Sequence, residues 1–117
     1  MLGNTITVTL GGSGGTAKVL NRIADDGYGA EYFLRESTQE FRMKITHSSS
    51  GTRERHFVEL KQTVYAASAD EADTVRTVSG VILAKASDTV ADVTDLQEAL
   101  SYFLDGTNTP KLIGWES

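Results

Sequence analysis

The segment that decides the fold reads Phe41-Arg42-Met43-Lys44-Ile45-Thr46-His47-Ser48. Apolar and polar side chains alternate along it with a period of two, the pattern of a β-strand with one face against a core. Phe41, Met43 and Ile45 share the apolar face. The opposite face carries a different set: Arg42, Lys44, Thr46 and Ser48. The segment therefore predicts a strand that separates a hydrophobic core from a polar surface.

Further strand-like segments lie on both sides of this one. Residues 5–10 and 16–23 flank a run of glycines and predict a hairpin. Residues 30–34 predict a short strand, and residues 55–65 and 74–86 predict two long ones. Because no helix-like segment separates these strands, they indicate an antiparallel sheet.

The hydrophobic period changes near the end of the chain. Apolar side chains recur there at helical spacing: Leu96, Leu100, Phe103 and Leu104. Thr94 and Gln97 have the spacing of a capping box, so a helix is predicted over residues 94–104. Gly106 stands where a glycine often follows a helix, and Pro110 is expected to prevent its continuation.

Together these segments predict an α+β chain with a single domain over residues 1–117. We expect a hairpin at residues 1–23, a main sheet at residues 30–86 and a helical region at residues 92–117. The expected architecture is an N-terminal β-hairpin, a five-stranded antiparallel sheet and a C-terminal helical segment.

The predicted helix is too small for the predicted sheet. One sheet face has an area of roughly 700 Å², and the helix covers about a quarter of it. An apolar area of that size is seldom left exposed on a monomer, so we expect an obligate homodimer in which each helix covers the sheet of the other subunit. The residues expected at this dimer interface are Leu96, Leu100, Phe103 and Leu104.

Composition and motifs exclude several classes of function. The absence of cysteine excludes disulfides, thiolate metal sites and a cysteine nucleophile. The glycine-rich run lacks the Gly-Lys-Ser/Thr ending of a phosphate loop and leads into a strand. His47 and His56 fall in the apolar phase of their strands, where a structural role is expected. We find no catalytic constellation, no secretory signal and no apolar run of ~20 residues, so neither an enzyme, a small-molecule substrate nor a membrane partner is expected.

The net charge of −5 is unevenly distributed. Residues 41–64 carry a balance of +3, whereas residues 65–117 carry −6 and residues 1–40 carry −2. The cations of the sheet share a phase with hydroxyl side chains, and this combination suits phosphates and base edges. On composition alone, a merely solvated face remains the alternative.

Five stretches carry a more specific signal: residues 7–20, Asp26-Gly27-Tyr28, Glu31-Tyr32, Asp95-Leu96 with Glu98-Ala99-Leu100-Ser101, and residues 111–117. Taken in order over nearly the whole chain, they resemble the coat proteins of single-stranded RNA bacteriophages of the levivirus type. The resemblance is strongest to the Caulobacter-phage branch.

This resemblance implies both an assembly and a partner. Two subunits would join as an intertwined homodimer with one ten-stranded sheet and interlocked helices, and dimers would form a T=3-type icosahedral shell. The inner face would bind the single-stranded RNA genome, and it could repress replicase translation through an RNA hairpin. The expected location is the virion, assembled in the cytoplasm of the bacterial host. A dimeric RNA-binding regulator that does not assemble is the alternative.

The resemblance also points to particular RNA-binding positions on the polar phase of the sheet. They are Lys44, Thr46, Ser48, Glu59, Lys61, Thr63, Thr77, Ser79 and Lys85, and alternation adds Arg42. Ser79 stands where relatives often carry an aromatic residue that stacks on a base. Phe57, on the same face, is the expected substitute.

The loop at residues 66–73 corresponds to the family's loop around the symmetry axes. It carries Asp70, Glu71 and Asp73, which would repel one another when several copies meet. No cofactor is required by the resemblance, but calcium bound by these carboxylates at subunit contacts would relieve the repulsion. Plain solvated acids are the alternative.

Overall fold

The computed structural model describes residues 2–116, which form one antiparallel sheet and two helices. The elements are β1 (Thr5–Leu10), β2 (Thr16–Asp25), β3 (Gly29–Arg35), β4 (Gln39–Ser50), β5 (Arg53–Val64), β6 (Thr74–Lys85), α1 (Val90–Phe103) and α2 (Asn108–Ile113). Each strand pairs with its neighbours in sequence, in the order β1 to β6. The predicted α+β class is therefore confirmed. Neither helix in this part of the chain has the length and apolar character needed to cross a membrane.

The N-terminal hairpin is continuous with the main sheet. Strand β2 extends to Asp25 and pairs with β3, although the register shifts between Arg22 and Ala24. This bulge absorbs Ile23 as an extra residue without ending the pairing, and it bends the strand. The expectation of five strands in the sheet is therefore wrong, because the hairpin makes it six.

The hydrophobic core lies on one side of the β1–β4 half of the sheet. Its buried side chains are Leu20, Tyr32, Phe41 and Ile45. Cα atoms of β2 and β4 approach within 8 Å, although these strands flank β3 and would be about 9.6 Å apart in a flat sheet. The sheet is therefore curled, and the hairpin encloses the core against β3 and β4.

A two-residue turn, Gly51-Thr52, joins the two central strands. Gly51 has φ of 62°, a left-handed conformation that glycine adopts without strain. The turn sets Ser50 opposite Arg53 and thereby fixes the register of all the β4–β5 pairs that follow. The turn therefore determines, for each side chain of β5, which of the two sheet faces it occupies.

The first helix begins earlier than the capping-box spacing predicts. Helix α1 starts at Val90, after a turn in which the Asp88 carboxylate accepts the N–H of Thr89 at 2.8 Å. Thr94 is inside the helix, where its hydroxyl donates to the Val90 carbonyl oxygen at 2.7 Å. Gln97 donates to the Ser101 hydroxyl instead of closing a cap. The predicted capping box is therefore wrong, because the four residues before Thr94 already belong to α1.

The end of α1 also differs from the prediction. Leu104 ends the helix by donating its N–H to the Leu100 carbonyl oxygen, and Gly106 is not in the left-handed conformation. The Asp105 carboxylate instead accepts the N–H groups of Asn108 and Thr107, each at 2.9 Å. These hydrogen bonds lower the pKa of Asp105 and start α2. Pro110 fits in α2 because it lies in the first turn, where its missing N–H is not needed.

An ion pair joins the hairpin to the loop after β3. Lys18 Nζ donates to both carboxylate oxygens of Glu36 at 2.9 and 3.0 Å, and Gln39 donates to one of them at 2.8 Å. The hydrogen bond from Lys18, followed by that from Gln39, lowers the pKa of Glu36 below its usual 4.5. Because the pKa is lower in the folded chain, the pair stabilises the fold above pH 4.5, and this contribution is lost as the pH falls through the folded-state value.

Replacing Glu36 by glutamine is therefore expected to lower the free energy of unfolding at pH 7 but not in strong acid. Urea denaturation at fixed protein concentration, at pH 7 and at pH 3, measures the difference between wild type and variant. That difference should shrink toward zero at the lower pH. Glu98→Gln, an exposed acid on α1, is the matched control. A Glu36→Gln deficit that is equal at both pH values would contradict the assignment.

Candidate nucleic-acid interface

The sheet face opposite the core is the candidate site, and we call it the basic face. It consists of the even-numbered residues of β4 and the odd-numbered residues of β3, β5 and β6, because paired residues in an antiparallel sheet point to the same side. The structure brings all ten predicted RNA-binding residues together on it: Arg42, Lys44, Thr46, Ser48, Glu59, Lys61, Thr63, Thr77, Ser79 and Lys85.

Two cross-strand rows form the centre of the basic face. In one row Arg42 lies opposite Lys61, which lies opposite Thr77. In the next row Lys44 lies opposite Glu59, which lies opposite Ser79. Rows of a sheet are about 7 Å apart along the strands, because side chains on one face recur at every second residue. Ammonium, guanidinium and hydroxyl donors therefore stand in a two-row array.

The arginine and aromatic residues of this face were largely missed by the sequence reasoning. Arg55 lies over the ring of Phe57, with its guanidinium carbon 5.1 Å from the ring centroid. Phe33 has two such neighbours, Arg42 at 4.9 Å and Arg35 at 5.7 Å. Arg55 shares the alternation phase of Phe57, and this signal could have identified it. Arg35 likewise shares the alternation phase of Phe33 within β3. The Arg42–Phe33 contact joins β4 to β3, and only the strand pairing reveals it.

The charge of the basic face is opposite to that of the whole chain. Seven cationic residues lie on it: Arg35, Arg42, Lys44, Arg53, Arg55, Lys61 and Lys85. They face three acids, Glu31, Glu40 and Glu59. Arg42 pairs with Glu31 at 3.1 Å, whereas Lys44, Lys61 and Lys85 make no ion pair within residues 2–116. Their ammonium groups are available to an external anion.

This arrangement can bind a flexible polyanion that carries flat rings. Lysine and arginine side chains neutralise phosphates and release counterions. Partly exposed rings with stacked guanidinium groups, such as Phe33 and Phe57, are platforms for unpaired bases. Apolar side chains that are half or more exposed, Val75 and Leu83, lie beside the cations and add contact area. The chemistry of this face therefore suits single-stranded nucleic acid better than a small molecule.

The four residues predicted for the dimer interface lie at the surface of the single chain. Leu96 is 75% exposed, Leu100 58%, Phe103 52% and Leu104 45%. No residue of either helix is buried. The β5–β6 half of the core-side face is also open, with Val58 and Val78 exposed. Both surfaces are apolar, and nothing within residues 2–116 covers them.

The acidic loop between β5 and β6 does not form a metal site within one chain. The Asp73 carboxylate accepts the Ala66 N–H at 2.8 Å, which closes the loop. Asp70 and Glu71 are exposed. Across residues 2–116, no group of three or more histidine, aspartate or glutamate side chains is arranged to hold a metal ion. Calcium held between carboxylates of several subunits stays a prediction.

Comparison with known proteins gives a family match and structural matches. The family model described as phage phiCb5 coat protein matches residues 3–85. Among solved structures, the bacteriophage EMS014 coat protein superposes with a TM-score of 0.70 at 17% sequence identity, and the match covers 89% of this chain and 74% of that one. At this identity the structural match shows a shared fold. No curated protein sequence matches the chain.

Proposed function

Because this chain belongs to the phage phiCb5 coat protein family, we propose that it pairs with a second copy of itself, assembles into a closed icosahedral shell of T=3 type and packages single-stranded RNA on the basic face. The observation that carries the RNA part of this proposal is the segregation of seven cations against three acids on one sheet face of an acidic chain.

Family membership confirms the resemblance seen in the sequence, including the Caulobacter-phage branch. The family consists of structural, non-enzymatic coat proteins, so the chain has a capsid role as a virion component. That role supports the proposed assembly from identical subunits. The order of assembly, the shell geometry and the RNA contacts belong to the proposal.

The surface area of the single chain supports pairing with a second copy. The chain exposes 8709 Å², whereas a compact monomer of 12.6 kDa exposes about 6,200 Å². The excess is about 2,500 Å² per chain, and obligate dimers bury a total of about 2,000–5,000 Å². The radius of gyration, 16.5 Å, likewise exceeds the roughly 13 Å of a compact domain of this length. A partner subunit accounts for both values.

The chain offers two complementary surfaces for that partner. Helix α1 presents its apolar stripe, and the open β5–β6 half presents Val58 and Val78. A two-fold axis places the helix of each subunit on the sheet of the other, so that one contact is made twice.

The outer edge of β6 is the last in the sheet order, and edge-to-edge pairing along it would give twelve strands, six from each subunit, instead of the expected ten.

Repression of replicase translation is part of the same proposal. Glu59 lies opposite Ser79 and Phe57 lies opposite Val81, so Phe57 is the diagonal neighbour of Ser79 on the basic face. A base extruded from an RNA hairpin could stack on Phe57 beside the Arg55 guanidinium. Phe57 thus offers the ring that Ser79 lacks.

Electron microscopy of the protein purified from an expressing bacterium tests the proposal. We expect closed shells of uniform size that protect RNA from nuclease, with the shells already present in the cytoplasm of the host cell. Dimers that bind RNA but form no shells would favour the regulator instead. A monomer at micromolar concentration in light scattering would contradict both functions.

A further inference from the structure

Two histidines form a close pair at one end of the core-side face. His47 of β4 lies directly opposite His56 of β5. The His47 N–H donates to the Tyr28 carbonyl oxygen at 2.6 Å, so it points away from β5. The two histidines are therefore a non-hydrogen-bonded cross-strand pair, the type in which opposing side chains come closest. Their Nδ1 atoms are 2.9 Å apart.

A carboxylate determines how the two rings are protonated. Glu54 lies two residues before His56 on the same face, with its Oε2 3.3 Å from His56 Nε2. A carboxylate can only accept, so it favours hydrogen on Nε2 and leaves a lone pair on His56 Nδ1. His47 Nδ1 then donates to that lone pair. An ordered chain of groups runs from His47 through His56 to Glu54.

We propose that His47 and His56 form a chelating site for a divalent transition-metal ion that prefers imidazole ligands, such as Ni²⁺, Cu²⁺ or Zn²⁺. Two nitrogens bound at ~2.05 Å are about 2.9 Å apart when they subtend 90° at the metal and about 3.3 Å apart at the tetrahedral angle. The observed Nδ1 separation already lies at the lower value, so rotation of the rings suffices to direct both lone pairs at one ion.

The surroundings complete the site. An open depression there is lined by Tyr28, His47, Ser48, Ser49, Glu54 and His56. It gives solvent access for the water molecules that fill the remaining coordination positions. On binding, the proton of His47 passes through solvent from Nδ1 to Nε2, so both rings stay neutral. Glu54 acts as a positioning residue, because a carboxylate on the distal nitrogen orients the ring.

The composition of the chain makes the test specific. The sequence contains two histidines and no cysteine, so an untagged chain of these 117 residues has no other imidazole or thiolate ligand. Calorimetric titration with Ni²⁺ at pH 7.5 should give one ion per chain. His47→Gln and His56→Gln should each lower the affinity about 100-fold, the advantage that a second linked ligand supplies. The double variant should be little worse than either single one, because each single change already destroys the chelate.

Glu54→Gln should lower the Ni²⁺ affinity about tenfold, whereas Glu98→Gln on α1 should leave it unchanged. Electron paramagnetic resonance of the Cu²⁺-loaded wild type needs no variant and should show two equatorial nitrogens. Two independent weak ions per chain, single-histidine variants with wild-type affinity, or one equatorial nitrogen would each overturn the site. The proposal requires only the β4–β5 register, so absence of shells leaves it intact.

Discussion

Replacing Lys44 and Lys61 together by alanine is expected to reduce the RNA carried by purified particles and to weaken RNA binding about tenfold for each lysine. Both ammonium groups lie in the central rows of the basic face and make no ion pair within residues 2–116. A hydrogen bond to a charged group contributes about 1.5–3 kcal/mol, which corresponds to at least tenfold in affinity. Each lost phosphate contact should also reduce the salt slope by about 0.7 for a single strand.

The measurement compares the ratio of absorbance at 260 and 280 nm of purified particles, and the salt dependence of RNA binding by dimers. Arg22→Ala with Lys111→Ala is the matched control, because it removes the same charge from β2 and from α2, away from the basic face and from the open β5–β6 half. The control should retain wild-type packaging. Equal losses in the two double variants would mean that overall charge matters and the basic face does not. Unchanged packaging in Lys44→Ala/Lys61→Ala would mean that another surface binds RNA.

Introducing aspartate at both Leu96 and Leu100 is expected to abolish the dimer and with it every shell. These side chains are 75% and 58% exposed in the single chain, on the stripe that we place against the partner's sheet. Burying one leucine contributes about 1.5–3 kcal/mol, and an unpaired carboxylate in the same place adds a further penalty. The combined loss corresponds to a weakening of dimer association by several orders of magnitude. Size-exclusion chromatography with light scattering measures it.

Ala91→Asp with Thr94→Asp adds the same charge to the opposite side of α1 and should still give dimers and shells. Leu100→Ala is a milder variant for the case in which the double aspartate chain does not fold. It should raise the concentration at which dimers dissociate, and the thermal midpoint should depend more strongly on protein concentration. Intact shells from the double aspartate variant would show that α1 lies outside the subunit contact.

The alternation of the central segment predicted its strand and both of its faces. Phe41 and Ile45 are buried, and Arg42 and Lys44 stand on the basic face. This prediction succeeded because alternation is a local pattern. The sheet face of each side chain can be assigned from the residues next to it in sequence. The same rule placed the candidate RNA residues on one sheet face, because the three strands that carry them alternate in the same way.

Features that depend on strand pairing or on tertiary contacts could not be predicted from the sequence. The pairing of β2 with β3, which continues across the bulge at Ile23, makes the hairpin part of the sheet, and a single segment carries no signal for it. The approach of His47 to His56 depends on which two residues form the turn within a run of serines and a glycine. The start of α1 differed because Thr94 satisfies a local capping pattern equally well from inside a helix.

The Gly51-Thr52 turn has a consequence for how such a chain can change. Whether a residue lies on the basic face depends on whether its number is odd or even. The basic face carries the even-numbered residues of β4 and the odd-numbered residues of β5 and β6. The turn is the place where the parity switches. A single inserted or deleted residue near the start of β5 would transfer Lys61 to the core side and Leu60 to the basic face in one step. Natural variation between residues 39 and 85 should therefore proceed by substitution, with length changes confined to the loop at residues 65–73.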